Sequence, residues 1–381
     1  MMMQRRQFLA LAGSLLTLGV AGAADKRLDT AVSAATSTGD AGSPHFLYSA
    51  NDNRAGQHFL SRVQLGVVNR TTQPLPFRAH DVLPLANGRV LAFGRRPDTM
   101  CADIDLDRGE QRLIEAAAGR HFYGHGCFSA AGSVLFTTEN DYEAVRGVIG
   151  IRDAATYEQI GEYETYGVGP HDIHLMPDGQ TLVIANGGIE THPDFGRRKL
   201  NLKTMQPSLA YVDSTNGKKM DEYRLDDHQL SIRHLTVTAA GDVGVAMQYQ
   251  GDIYRHQPQT LVAWQQHGGE LKALQIAESQ ISTLRGYMAD LAYADDSGVL
   301  AVTSPRGNRI SFWDVAALEF ISALEITEPS GIQYLAQQQA FLVSAADGSL
   351  YRIPAHPDRF SAVTTLLQAE DMLWDNHMYL V

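Results

Sequence analysis

Cysteine is almost missing from this chain: two thiols, Cys101 and Cys127, in 381 residues. Two thiols allow at most one disulfide, so no cross-linked framework holds the fold. Neither Cys-x-x-Cys nor Cys-x-x-Cys-His occurs, which excludes a zinc ribbon and covalently attached haem. Positive charge is scarce as well. Lys and Arg number 31 against 43 Asp and Glu, a net charge of −12, which excludes a general nucleic-acid binder because nothing would neutralise the phosphates. Beyond residue 23 no membrane span is expected.

The first 23 residues differ in kind from the rest. MMMQRRQFLALAGSLLTLGVAGA carries Arg5 and Arg6, an apolar run from Phe8 to Val20, and small residues Ala21-Gly22-Ala23 at its end. That is the layout of a secretory signal peptide, and the paired arginines followed by Gln-Phe-Leu resemble the twin-arginine type. The expectation is export of an already folded protein to the periplasm. Residues 24–43 are small and polar and read as a flexible leader, leaving 44–381 for the fold.

Internal repetition sets the fold class. HDVLPLANGRVLAFG (80–94), HGCFSAAGSVLFTTEN (125–140), HDIHLMPDGQTLVIANG (171–187) and HLTVTAAGDVGVAMQ (234–248) share one plan. Each is a short strand, a turn and a second strand rich in Val, Leu and Phe. DLAYADDSGVLAVTSPRGN (290–308) and GIQYLAQQQAFLVSAADG (331–348) follow the same plan. Third strands (GVIGIRD, SLAYVD, RISFWD) and charged outer strands (QIGEYET, KMDEYRL) come after them. Four short strands at a spacing near ~45 residues read as a β-propeller blade, so the expected fold is all-β. A seventh start falls at His377 in WDNHMYLV, where the chain stops after one strand. Its three missing partners stand at the other end, in HFLYSAND, HFLSRVQL and GVVNRTTQP. The expectation is a seven-bladed β-propeller over 44–381, closed by the C-terminal strand.

The first position of each innermost strand reads His80, His125, His171, His234, Asp290, Gly331 and His377. With 14 His in 381 residues, chance would put about 0.3 histidines at seven chosen positions, and five are there. Innermost strands line the channel, so five imidazoles and one carboxylate are expected to converge at its mouth. Imidazole suits copper, iron, zinc or nickel. A structural role, as in WD-type repeats, is the alternative, but that histidine needs a later Trp-Asp and only FWD (312–314) supplies one. The mouth is expected to be solvated, so that replacing these histidines should spare the fold. Asp81 and Asp172 are placed to orient neighbouring rings. His174 reads as core polar, and neither cysteine reads as a ligand.

VLAVTSPRGNRISFWD resembles the YVTN-type repeats of bacterial seven-bladed propellers. The twin-arginine leader, HDVLP, GHGCFS, GPHDIHLMPDG and the terminal WDNHMYLV together make the chain similar to domain-of-unknown-function family 1513. The resemblance covers the mature chain and brings no established activity. It implies company, since members commonly stand beside imelysin-like and di-haem proteins in iron-acquisition settings.

The interval from His171 to His234 is long, and its surplus (187–208) holds His192, Arg197, Arg198 and Lys199. Long insertions in repeat proteins often carry function. With Arg95, Arg96, Arg233, Arg306 and His121 near other strand ends, this basic cluster is expected to attract an anionic ligand such as a carboxylate chelator or haem propionates. The expected function is a periplasmic propeller that binds iron or copper, as an ion or as haem, in metal acquisition beside imelysin-like iron-uptake proteins. The alternatives are an interaction scaffold without a metal, and a histidine-dependent lyase or hydrolase. No Gly-x-Ser-x-Gly or Ser-x-x-Lys motif and no paired carboxylates stand at the ring positions, which weighs against hydrolysis.

Overall fold

The computed structural model describes residues 45–66 and 69–381; the segments expected to be a signal peptide (1–23) and a leader (24–43) lie outside them. The described residues form seven four-stranded antiparallel sheets. Blade one takes its innermost strand, Leu373–Leu380, from the C-terminus and its other three, Phe46–Asp52, His58–Gln64 and Asn69–Leu75, from the start of the propeller. The innermost strands of blades two to seven are Ala79–Pro84, Arg120–Phe128, Pro170–Leu175, Leu230–Val237, Leu291–Ala294 and Pro329–Leu335. The fold is thus the expected seven-bladed β-propeller closed by the C-terminal strand. Its one α-helix among these residues is a single turn, Glu278–Ile281.

Burial follows position within the blade. The second strand of blade four, TLVIAN (Thr181–Asn186), is buried on both faces, because each face meets a neighbouring blade. Outermost strands meet water, and Gln159–Glu164 alternates between half-buried and exposed. Apolar clusters bridge consecutive blades: Phe136 and Ile149 of blade three pack with Ile173, Leu182 and Ile184 of blade four. Cys101 and Cys127 are both free thiols in neighbouring blades, so the one available disulfide is not formed.

A recurring irregularity aims side chains at the axis. Pairing of the innermost strand with the second shifts register between Ala79 and Asp81, between Pro170 and Asp172, and between Ile232 and His234. Blades three, seven and one shift at the matching place. A bulge inserts extra backbone and re-aims the local side chain, here inward. Hydroxyls of the second strand satisfy the backbone groups that the bulge frees. Thr138 Oγ1 accepts from His125 N at 3.3 Å and donates to His125 O at 3.1 Å. Ser344 treats Gly331 in the same way, and in blade six Thr303 Oγ1 accepts from Asp290 N at 3.0 Å and donates to Ser330 O of the next blade at 2.6 Å.

Candidate metal centre

The bulges bring all five ring histidines together, but not at a solvated mouth. They lie below it, between 1% and 8% exposed, which corrects the expectation that they would be water-covered and dispensable to packing. His80, His125, His234 and His377 each offer one ring nitrogen, and these four atoms all lie within 4.8 Å of one another. The spacing of the inner strands admits this because Gly124 sits against the ring of His80. A Cβ there would come within 2.6 Å of His80 Cδ2, and its φ of +111° is one that L side chains rarely adopt.

Carboxylates stand behind the rings. His125 Nδ1 lies 3.2 Å from Asp81 and 3.3 Å from Asp172, so the two aspartates expected to orient neighbouring rings share one imidazole. His377 Nδ1 lies 3.3 Å from Asp290, and His80 Nδ1 lies 3.5 Å from Asp375. Asp290, expected among the metal ligands, instead supports His377, and its other oxygen accepts from Ile332 N of the next blade at 2.9 Å. Asp172 likewise accepts from Leu235 N at 2.9 Å, so these carboxylates also stitch blade to blade. His174 shares Asp172 at 3.3 Å from it, which agrees with a polar supporting role.

These contacts assign protons. A ring whose Nδ1–H faces a carboxylate turns a bare Nε2 toward the centre. His125 Nε2 is such an atom, buried with no hydrogen-bond partner. His171 is different: its Nδ1 lies 3.3 Å from Arg233 Nη1, and a guanidinium can only donate. Its proton therefore sits on Nε2, which donates to His234 Nε2 at 2.9 Å. That leaves His234 Nδ1–H buried and unpartnered, as observed. His377 Nε2 approaches the same His234 atom at 3.1 Å.

Burial and neighbouring imidazoles or guanidinia hold His171 and His234 well below the usual histidine range. Burial does the same to His80 against the pull of Asp375. His377 goes the other way: burial would lower it, but Asp290, Asp81 and Asp172 outweigh that and push it up to about 9. His80 and His234 are thus held neutral beside a His377 ring that carries a proton. The arrangement fits a cation. Ring nitrogens bound to one ion at about 2.0–2.1 Å would lie about 3.4 Å apart, so the present spread closes with small ring rotations.

Above the histidines opens a cavity of about 280 Å³. His80, His171 and His234 form part of its lining, and Arg95, Arg96, Arg197, Lys199, Arg233 and Arg306, six of the residues expected to attract an anionic ligand, line it too. His121, His192 and Arg198 do not. His121 is stacked between Tyr123 and Tyr142 and contacts Asn140, while His192 caps the short turn Pro193–Phe195 and faces Glu143. Asp375 and the cavity residues Tyr123, Gln248, Tyr287 and Asn376 were not singled out from the sequence. Asp375 was findable, since WDNH puts it two before His377, where the bulge brings it to the channel.

A family model matches residues 73–381. The chain belongs to the family described as protein of unknown function, DUF1513. No curated protein sequence matches it. Among solved structures, a chain of Kuenenia stuttgartiensis hydrazine synthase is similar at 14% identity and a TM-score of 0.58, covering 84% of this chain and 95% of that one. At that identity the DUF1513 chain and the hydrazine synthase chain share a fold, and the site must be argued from its own residues.

Proposed function

We propose that this DUF1513 chain is a metal-holding propeller in which His80, His125, His234 and His377 bind one transition-metal ion. The observation that carries the reading is the convergence of four buried ring nitrogens, one of them a partnerless His125 Nε2. An all-imidazole donor set suits copper above iron, and divalent copper heads the affinity order for nitrogen sites. A cavity of about 280 Å³ falls at the foot of the ~300–1,000 Å³ range for drug-sized ligands, which favours an ion or small complex over haem. The signal-like segment supports a periplasmic location by the twin-arginine route. On this reading the partners are the imelysin-like iron-uptake proteins that family members accompany.

The test is metal analysis of mature protein purified without a histidine tag, followed by titration with Cu(II), Fe(II) and Zn(II). One ion per chain is expected, lost when His125 and His234 are both replaced by Gln. Wild-type protein that binds none of the three ions would leave the scaffold reading in place. The cavity beside the histidines also keeps alive a catalytic reading, since catalytic metals leave one coordination position open.

A further inference from the structure

The cavity over the histidines is lined by Arg95, Arg96, Arg197, Lys199, Arg233 and Arg306 and by no Asp or Glu. Six cations around one small space would be unusual in any chain and are more so in one of net charge −12. They come from three blades and from the insertion of a fourth, so no local sequence feature explains them as a solvated basic run. Like charges gathered this closely repel, and a low-dielectric wall strengthens the repulsion. Burial and the neighbouring cations Arg233, Arg306, Arg96 and Arg197 push Lys199 down to about 8. Burial together with Arg95, Arg96 and Arg78 pushes Arg197 down to about 10.

The partners these cations do have leave charge unspent. Arg96 lies over the ring of Tyr123 and Arg306 over that of Tyr287, at 5.3 and 4.9 Å. A guanidinium held by its flat face keeps its N–H edge free for an oxyanion. Arg233 is held by Gln248 at 3.1 Å and by His171, and Lys199 contacts Gln250, all neutral groups. Arg197 has no hydrogen-bond or ion-pair partner among the described residues. Asp375, the carboxylate that attracts Arg197, lies outside the lining and is already taken by Arg78 at 2.8 Å and by Arg95 at 3.4 Å.

We infer that this cavity is a binding site for a small polycarboxylate anion, held by guanidinium forks against the face of the histidine cluster. Size selects the class. At about 30 Å³ per water the space holds roughly nine waters, too large for a single phosphate or acetate to reach opposite walls and right for a compact di- or tricarboxylate. Planar guanidinia match carboxylates two bonds at a time, and several of them on different walls match a ligand with several carboxylates. The anion reaches the site either free or as the ligand of a metal ion. This inference deepens the proposed metal site by naming what would cover it, but it rests on different residues and is tested separately.

The probe is citrate, titrated calorimetrically into the mature protein, metal-free and metal-loaded, with inorganic phosphate and acetate as comparators. Citrate is expected to bind the metal-free protein at least about tenfold more tightly than either comparator, and less tightly in high salt. Arg197→Gln and Arg306→Gln should each weaken citrate by about tenfold or more, since each removes a charge-assisted contact. Arg255→Gln, on the exposed surface, should leave it unchanged. Metal content of the two cavity variants should equal the wild type, because neither residue touches a histidine, and their melting temperature should be no lower, because each change relieves repulsion among the cations. Tighter citrate binding by the metal-loaded protein would point to delivery as a metal complex, and equal binding to the free anion. Citrate bound no better than phosphate, or bound undiminished by the Arg197→Gln/Arg306→Gln double variant, overturns the inference. Citrate binding without any metal uptake would leave it standing and remove the metal reading.

Discussion

Individual protons decide how this centre would take up an ion. His377 holds one at neutral pH because Asp290, Asp81 and Asp172 outweigh its burial, whereas burial keeps His80 and His234 neutral. Metal must displace that proton, so affinity should rise with pH until about 9 and then level, with about one proton released per ion at pH 7. Calorimetry in buffers of different ionisation enthalpy measures the release, and none at pH 7 would contradict the assignment. The same shift has a stability consequence of fixed sign. A histidine raised by folding stabilises fully below its unfolded value of ~6.5 and ceases to do so as pH climbs through its folded value. Metal-free protein should therefore melt progressively lower from pH 6.5 to 9. Burial sharpens what a substitution does. His125→Ala removes the common partner of Asp81 and Asp172 and should destabilise the metal-free fold by about 1.5–3 kcal/mol. Denaturant titration would show this, and an unchanged midpoint would restore the expectation of a solvated ring.

The innermost strand and its bulge are what turn a repeated sequence position into a convergent site. A regular strand would send alternate side chains into the blade interfaces, and the extra residue sends one to the axis instead. Because Thr138 closes both backbone bonds of the bulge at His125, Thr138→Val should cost about 1–3 kcal/mol and weaken metal binding, and Thr138→Ser should restore both. Equal metal affinity for the Val and Ser variants would show that the hydroxyl does not set the ring. The insertion works in a comparable way. Asn201 accepts from Glu190 N at 2.8 Å and donates to Gly188 O at 2.9 Å, folding the loop so that Arg197 and Lys199 reach the mouth. The five-histidine periodicity was legible because it recurs once per blade and needs no knowledge of depth. Depth itself was not legible, since burial under the arginines depends on a loop whose path no periodicity encodes. For the same reason His121 and His192, close in sequence to site residues, were misplaced. Their directions follow from local stacking and capping.

Ring closure governs the whole molecule, because a propeller has no single core, only interfaces between successive blades. The sequence showed the closure through arithmetic: one strand left over at the C-terminus, three at the other end. The register Leu47↔Leu380, Tyr48↔Tyr379 and Ser49↔Met378 realises it, and Ser49 Oγ donates to His377 O at 2.6 Å. Arg70 adds a two-pronged bond to Asp371, and buried Trp374 and Met378 fill the seam between blades seven and one. Deleting residues 373–381 would remove that packing, bare the edge of Phe46–Asp52 and take His377 from the centre. Losing two large buried apolar side chains costs about 3–6 kcal/mol in transfer terms alone, a large part of an ordinary domain's stability. The truncated chain is therefore expected to melt far lower or to associate through the open edge. A synthetic peptide of residues 373–381 added in excess should raise the melting temperature again, by mass action on the vacant edge. The same peptide with His377 replaced by Gln should restore the fold but not metal uptake. A truncated protein that melts and binds metal like the intact one would mean that blade one neither closes the ring nor completes the centre.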